Sequence, residues 1–214
     1  MNTKFSSGLR NKNQRRRTNT PLPIKKPHDV IPPLSEDSIR IIPLGGVEEI
    51  GRNMTVFECR GDIIVADVGV KFTDEETPGV DYILPNVKYL EERKDRIKAI
   101  VITHGHLDHI GGIPFLIDKL GNPPIYTREF GALLIQKRQV EFPHLPPLNI
   151  KIVDANDKTI PITENLKVRF FGVTHSIPDS TGVVIETPFG DIVNTGDVRI
   201  ENNDGVIADK EVEQ

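Results

Sequence analysis

Apolar and polar positions show no regular alternation over roughly the first 37 residues, which are rich in Asn, Thr, Lys, Arg and Pro. Such a stretch cannot bury enough apolar surface to order itself, so 1–37 is expected to be a disordered arm. From Ser38 the pattern changes. Ile39-Arg40-Ile41-Ile42 is short and apolar, Met54–Cys59 alternates, and Arg60-Gly61-Asp62 turns the chain into Ile63–Ala66. These predict an antiparallel start to a sheet. Residues 71–85 look loop-like, and Val87–Arg96 predicts a helix with charges on its exposed side. The apolar run Ala99-Ile100-Val101-Ile102 predicts a buried central strand over Ile97 to Thr103. A helix is expected over Ile113–Leu120, a short strand over Pro124–Thr127, and a second helix over Arg128–Val140, where Phe130, Leu133, Leu134 and Val140 fall at helical spacing. The proline-rich stretch Phe142–Pro147 breaks that helix. The last third is strand-rich: Ile150–Val153, Leu166–Phe171, and a hairpin of Gly182–Thr187 with Asp191–Asn194 around Pro188-Phe189-Gly190. Strands mixed with helices make this an α/β (α+β) chain.

Composition narrows the class. At 214 residues, 37% apolar and 27% charged, the chain can bury a domain-sized core. No window reaches the length of a membrane span, and the polar amino terminus lacks the apolar core of a secretory signal. Cys59 is alone, so there is no disulfide framework; a cytoplasmic home is expected, with Cys59 a small core residue. Charge is uneven: residues 1–34 hold eight Lys or Arg against Asp29, a net of +7, which leaves −11 for the remainder of a chain whose total is −4. Arg15, Arg16 and Arg17 are the centre of this basic arm. It reads either as a tether for RNA phosphates or as a solvated tail. His28 and His144 lie in polar or proline-rich connections and read as surface residues.

The chemistry concentrates in Thr103-His104-Gly105-His106-Leu107-Asp108-His109-Ile110-Gly111-Gly112, directly after the central strand. Open α/β sheets place ligands at such strand ends. His104 and His106 are two apart, so in an extended segment they point the same way and can share one ion. Asp108 and His109 follow the bend and can face a second point. Neutral imidazoles with a carboxylate are zinc-type ligands, and two ions about 3.5–4 Å apart can clamp a phosphoryl group. The plain alternative is a polar surface loop rich in histidine. No phosphate-binding glycine loop and no Ser-His-Asp set stands out.

The pattern HxHxDH after a buried strand resembles the metallo-β-lactamase superfamily. Three further blocks narrow it: Pro43-Leu44-Gly45-Gly46-Val47-Glu48-Glu49-Ile50-Gly51-Arg52-Asn53-Met54, then Thr174-His175-Ser176-Ile177-Pro178-Asp179-Ser180, then Asn194-Thr195-Gly196-Asp197. Together, over about residues 39 to 200, they resemble the ribonuclease J family of the β-CASP branch. The resemblance implies a metallo-β-lactamase αββα sandwich over 38–214, in its first half only, without the β-CASP domain and the carboxyl-terminal half. It implies a first zinc on His104, His106 and His175, a second on Asp108 and His109, and Asp197 bridging both, with manganese or magnesium as alternatives at the second. A metal-bridging hydroxide would hydrolyse RNA phosphodiesters, by exo- or endonuclease action, in RNA processing (that of rRNA included) and decay. Asp67, at the end of the third strand, would support the histidine loop by accepting hydrogen bonds; otherwise it caps a turn. Asn53 would touch substrate beside the Gly45-Gly46 loop, unless those glycines simply make a turn. Ser176 and Ser180 would donate to a phosphate or else close a structural turn. Family chains are far longer and form homo-oligomers, and they take a last ligand for the second zinc, and much of the second sheet, from later sequence. The expectation is therefore an amino-terminal fragment or a reduced relative. Two other functions stay open: a thioester or lactone hydrolase of the same superfamily, and a non-catalytic RNA-binding fragment.

Overall fold

The chain divides into two units, Met1–Pro33 and Leu34–Gln214. The structure, a computed structural model, describes residues 31–73 and 79–199. Arg15, Arg16 and Arg17 lie outside the described residues, and with them residues 1–30 of the expected arm; residues 31–37 are described and belong to no helix or strand. All the elements below belong to the second unit.

The first sheet is six-stranded. β1 (Ile39–Gly45), β2 (Met54–Cys59) and β3 (Asp62–Ala66) form an antiparallel meander. Its β2–β3 turn puts both Arg60 (φ 47°) and Gly61 (φ 87°) in the left-handed region, the twist that tight hairpins need. A two-stranded ribbon, β4 (Lys71–Phe72) with β5 (Tyr82–Ile83), leads to α1 (Lys88–Glu91). Then β6 (Ile97–Val101) pairs parallel to β3, β7 (Ile125–Thr127) to β6, and β8 (Ile150–Ile152) to β7. Between β6 and β7 lie α2 (Leu107–Ile110) and α3 (Ile113–Leu116), and between β7 and β8 lies α4 (Glu129–Gln139). The second sheet runs in the order β12 (Gly190–Asn194), β11 (Thr181–Thr187), β10 (Lys167–Gly172), β9 (Ile160–Pro161), all antiparallel.

Period-two alternation explains how the layers stack. In β3, Ile63 and Val65 face the helices while Ile64 and Ala66 face the second sheet; in β6, Ile100 faces the helices while Ala99 and Val101 face the second sheet. The helix-side core is completed by Leu90, Ile110, Ile113, Ile117, Leu120 and Ile135. The inter-sheet core joins Phe57 and Cys59 to Val168, Phe170, Val183 and Ile185, so Cys59 is a buried free thiol packed as a small apolar group.

Several expectations need correction. Val87–Arg96 is not one helix: after α1 the chain leaves helical geometry at Arg93 (φ −132°), whose guanidinium donates to Tyr89 O and lies 4.0 Å from the Tyr89 ring centroid. A short 3-10 turn follows at Lys94–Arg96. The helix after the histidines is regular over Ile113–Leu116 and continues as hydrogen-bonded turns to Gly121 (φ 80°). Helix α4 buries Gly131, Ala132 and Ile135, whereas Leu133 and Val140 are exposed. Small residues let it approach closely: a Cβ on Gly131 would fall 2.4 Å from Thr127 Oγ1. The second sheet has four strands among the described residues. On its outer face Arg169 pairs with Asp157, Glu186 and Asp191, and Val193 at the β12 edge is 58% exposed.

Candidate metal centre

The histidine loop is built by backbone pairing with the segment after β3. Val68 N donates to His109 O, Val70 N to Leu107 O, and Gly112 N to Val68 O. Gly69 permits this approach, since a Cβ there would fall 1.6 Å from Asp108 O. His106 stays extended (ψ 149°) at the start of α2, and the helical turn then carries Asp108 and His109 round to another direction. Gly105 lies against α4, with any Cβ 2.5 Å from Leu134 Cδ1. His175 comes from the β10–β11 loop of the second sheet, and Asp197 follows β12.

These residues meet. His104 Nε2 lies 3.0 Å from His106 Nδ1, which lies 3.3 Å from His175 Nε2. Around a tetrahedral ion with metal–nitrogen bonds of about 2.05 Å, neighbouring ligand atoms stand about 3.3 Å apart. The three nitrogens therefore have the spacing of a coordination shell. A second group, His104, His109 and Asp197, also brings its ligand atoms within 4.8 Å of one another. Asp197 sits between the two, with one oxygen 3.5 Å from His109 Nε2 and the other 3.7 Å from His175 Nε2. Asp108 faces His109 Nε2 at 3.6 Å but belongs to neither group of three.

Asp67 lies beneath them, buried and in the left-handed region (φ 59°). Its Oδ1 accepts from Thr103 N at 2.9 Å, and its Oδ2 accepts from Thr103 Oγ1 at 2.9 Å and from His109 Nδ1 at 2.8 Å. With its hydroxyl proton on Asp67, Thr103 Oγ1 accepts from His104 Nδ1 at 3.0 Å. Both rings thus donate through Nδ1–H and turn Nε2 toward the other ligands. Sequence reasoning gave Thr103 no role, though a hydroxyl on the last buried residue before a ligand was the signal available. Asn53, expected at substrate, donates through Nδ2 to Asp108 Oδ2 (3.2 Å) and lies with the same nitrogen 3.0 Å from His109 Nε2. It lines a cleft of about 220 Å³ with Gly45, Gly46, His109, Asn194 and Asp197. Ser180 is also a correction: it is buried and its Oγ donates to Ile177 O at 2.9 Å, closing the turn. Ser176 is exposed on the same loop, and so is His144 on its own connection.

Electrostatics separate the ligands. Burial pulls His104 down to about 3, helped by the charge on His109, and burial also lowers His175. Each neutral ring therefore keeps one nitrogen lone pair to offer a ligand bond at neutral pH. Burial likewise opposes charge on His109, but Asp67, Asp197 and Asp108 overcome it and push His109 up to about 10. Hydrogen bonding to His109 holds Asp197 down to about 2. The donor set fits a cation: neutral imidazoles converge, with an ionised carboxylate beside them.

Residues 53–211 match the profile of the metallo-beta-lactamase superfamily. The chain belongs to that superfamily. It is 45% identical over 171 residues to ribonuclease J of Thermus thermophilus, a match covering 78% of this chain and 30% of that protein. It is 40% identical over 165 residues to ribonuclease J2 of Bacillus subtilis, covering 77% of this chain and 29% of that one. The chain therefore spans about 30% of the length of the curated relatives it matches. Among solved structures, the short form of human tRNase Z superposes with a TM-score of 0.53 at 20% identity, covering 81% of this chain and 73% of that one. That likeness concerns the metallo-β-lactamase fold alone. No helix among the described residues is long and apolar enough to cross a membrane.

Proposed function

We propose that this chain carries the catalytic metal centre of a ribonuclease J-type, zinc-dependent hydrolase of RNA phosphodiesters. The observation that carries it is the convergence of His104, His106 and His175 through nitrogens 3.0 and 3.3 Å apart, with Asp197 beside them. The resemblance to ribonucleases J, at about 40–45% identity, supports the substrate class. His104, His106 and His175 would hold the first zinc. Asp108 and His109 would hold the second metal, with zinc, manganese or magnesium there, and Asp197 would reach both. Bound metal of this kind would lower the pKa of a water toward about 7 and neutralise charge growing on a phosphoryl group. The protein's own residues set the conditions. Asp67 and Thr103 hold His109 and His104 in the tautomer that offers Nε2, and Asn53 steadies Asp108 and His109 from the cleft side. His109 must give up its proton before it can ligate, so the second position fills less readily than the first. The setting would be cytoplasmic RNA processing and decay, in homo-oligomers, with Arg15, Arg16 and Arg17 adding phosphate attraction and Ser176 a hydroxyl at the site's rim.

The test is zinc reconstitution of the purified chain followed by elemental analysis, with parallel hydrolysis assays on RNA, a thioester and a lactone. Tight zinc at one position and weaker metal at another are expected in this chain, and zinc-dependent RNA cleavage lost in Asp108→Ala is expected in a full-length context that supplies the rest of the domain. Failure to retain zinc refutes the metal centre. Zinc-dependent hydrolysis confined to the thioester or lactone refutes the substrate class.

A further inference from the structure

His104 and His106 stand on the first sheet, whereas His175 reaches them from a loop of the second. Its place depends on how that loop, residues 173–180, seats on the first sheet. Some of the loop's bonds are internal: Val173 N donates to Ser180 O, and Ser180 Oγ to Ile177 O. These shape the loop without fixing where it sits. Beside His175, Thr174 O accepts from Arg199 N, and past the loop's end Thr181 donates to Thr103 O; the tip between them is fastened through Asp179. Asp179 Oδ1 accepts from Arg128 Nη2 at 3.0 Å, and Asp179 Oδ2 accepts from Phe130 N at 3.1 Å. Phe130 N is in the first turn of α4, where the helix leaves its N–H groups without partners of its own.

The anchor is itself held. Arg128 Nη1 donates to Val153 O and to Asp154 Oδ1, each at 3.2 Å. Arg128 thus joins the ends of β7 and β8 and presents its second amino group to Asp179. Asp179 pairs with the guanidinium through one oxygen and the helix start through the other, while its own backbone is in the left-handed region (φ 61°). A non-glycine residue persists there only when its surroundings over-determine it. The same helix start leads into Gly131 and Leu134, against which Gly105 of the histidine loop packs. α4 therefore gauges both loops, the one bearing His106 and the one bearing His175.

We infer that Asp179 is a positioning residue for His175, clamping the second-sheet loop to Arg128 and the start of α4 so that the imidazole reaches the point on which His104 and His106 converge. The inference rests on the metal-centre reading above. A group that orients a ligand typically changes metal affinity by about 10–100-fold when removed, and Asp179 acts at one remove, so the lower end applies.

The experiment is a zinc titration of the full chain against a chromophoric chelator, with parallel thermal melts of metal-free protein. The variants are Asp179→Ala, Asp179→Asn, Arg128→Lys, His175→Ala and the Asp179→Ala/His175→Ala pair. Asp179→Ala is expected to weaken the tighter site about tenfold, with the two conservative variants between it and the parent. In the His175→Ala background it should cost little more, because its partner in the effect is gone. A side chain that only stabilises the fold would lower the metal-free melting temperature and leave zinc affinity alone. Zinc affinity of Asp179→Ala within about twofold of the parent, or an equal loss in both backgrounds, overturns the inference. If Asp179→Ala does not fold, Asp179→Asn and Arg128→Lys decide it by the same criterion. A parent chain that binds no zinc overturns the metal centre itself, a result separate from an indifferent Asp179.

Discussion

Replacing Asp67 by asparagine keeps the shape of the buried side chain and changes what it can accept. In the native site Oδ1 takes the Thr103 amide, while Oδ2 takes both the Thr103 hydroxyl and His109 Nδ1–H. An asparagine holding the Thr103 amide with its oxygen turns an NH2 group toward those two donors. The hydroxyl can rotate and accept. His109 can make its bond only by giving up the Nδ1 proton, which drives it to the tautomer protonated on Nε2. That is the nitrogen facing Asp197 at 3.5 Å and Asp108 at 3.6 Å, so the change blocks a ligand without touching it. A buried hydrogen bond to a charged group is worth about 1.5–3 kcal/mol. The usual cost of losing such an orienting partner, about 10–100-fold in metal affinity or roughly 1.4–2.7 kcal/mol, agrees with it. The expected result for Asp67→Asn is a loss of about tenfold or more at the weaker metal position, and a smaller loss at the tighter one. Removing the Asp67 charge also removes the leading attraction that pushes His109 up to about 10, so its ring should titrate closer to the ordinary histidine value. Two-step zinc binding by calorimetry and histidine-selective NMR through the alkaline range read these effects. If both affinities stay within about threefold of the parent and His109 still holds its proton as in the parent, Asp67 does not orient it.

Thr103→Val removes one hydroxyl, leaving Asp67 Oδ2 and His104 Nδ1 short of a partner in a site where Thr103 is fully buried; urea unfolding should show a loss of about 1–3 kcal/mol that Thr103→Ser largely restores. Metal-free protein should be most stable near pH 6.5, losing stability on both sides. Below that value the unfolded chain protonates a histidine that the fold holds neutral, His104 at about 3; above it the fold keeps a proton on His109, at about 10, that the unfolded chain releases. Asp197, held at about 2, adds a further loss only below its ordinary 3.8. Melting temperatures in a chelator across acid to alkaline buffers would contradict this if they rose steadily in either direction.

What the sequence disclosed was what burial writes into the chain. Ala99–Ile102 is continuous apolar text because the central strand is covered on both faces, and the histidines that follow had to stand at its carboxyl end. Strands β2 and β3 were readable for the same reason. Helix α4 was found but its face was only partly read: Leu134 packs on the core as its spacing implied, yet the closest contacts come from Gly131, Ala132 and Ile135, while the conspicuous Leu133 and Val140 face solvent. The break at Arg93 depends on a guanidinium folding back over Tyr89, which no periodicity records. Long-range hydrogen bonds were equally invisible. Asp179 is 49 residues from the amide it accepts, and Ser180 looked like a donor to substrate until its partner proved to be Ile177 O. Which residue types gather at the centre was legible from motif and spacing; what holds each one in place required the fold.

The two sheets are registered at the centre more finely than apolar packing alone can achieve. Phe170, Val183 and Ile185 set the sheets face to face, but such contacts tolerate small slides because dispersion has no direction. Directional bonds remove that freedom beside the ligands. Thr103 O accepts from both the amide and the hydroxyl of Thr181, at 3.0 and 2.9 Å, tying the end of the first sheet's central strand to the start of β11. Gly196 closes the same junction: its backbone is left-handed (φ 58°), and a Cβ there would fall 2.9 Å from Thr103 Cβ, so the turn before Asp197 can press against Thr103 only as glycine. Thr103 thus touches Asp67, His104, the strand that follows the His175 loop and the turn that leads to Asp197. A cation gathered by His104, His106, His175 and Asp197 would add one more tie between the same sheets. Binding that needs the registered fold stabilises it by mass action, so zinc should raise the melting temperature, and a change that shifts one sheet against the other at these ties should weaken the metal site as well as the fold.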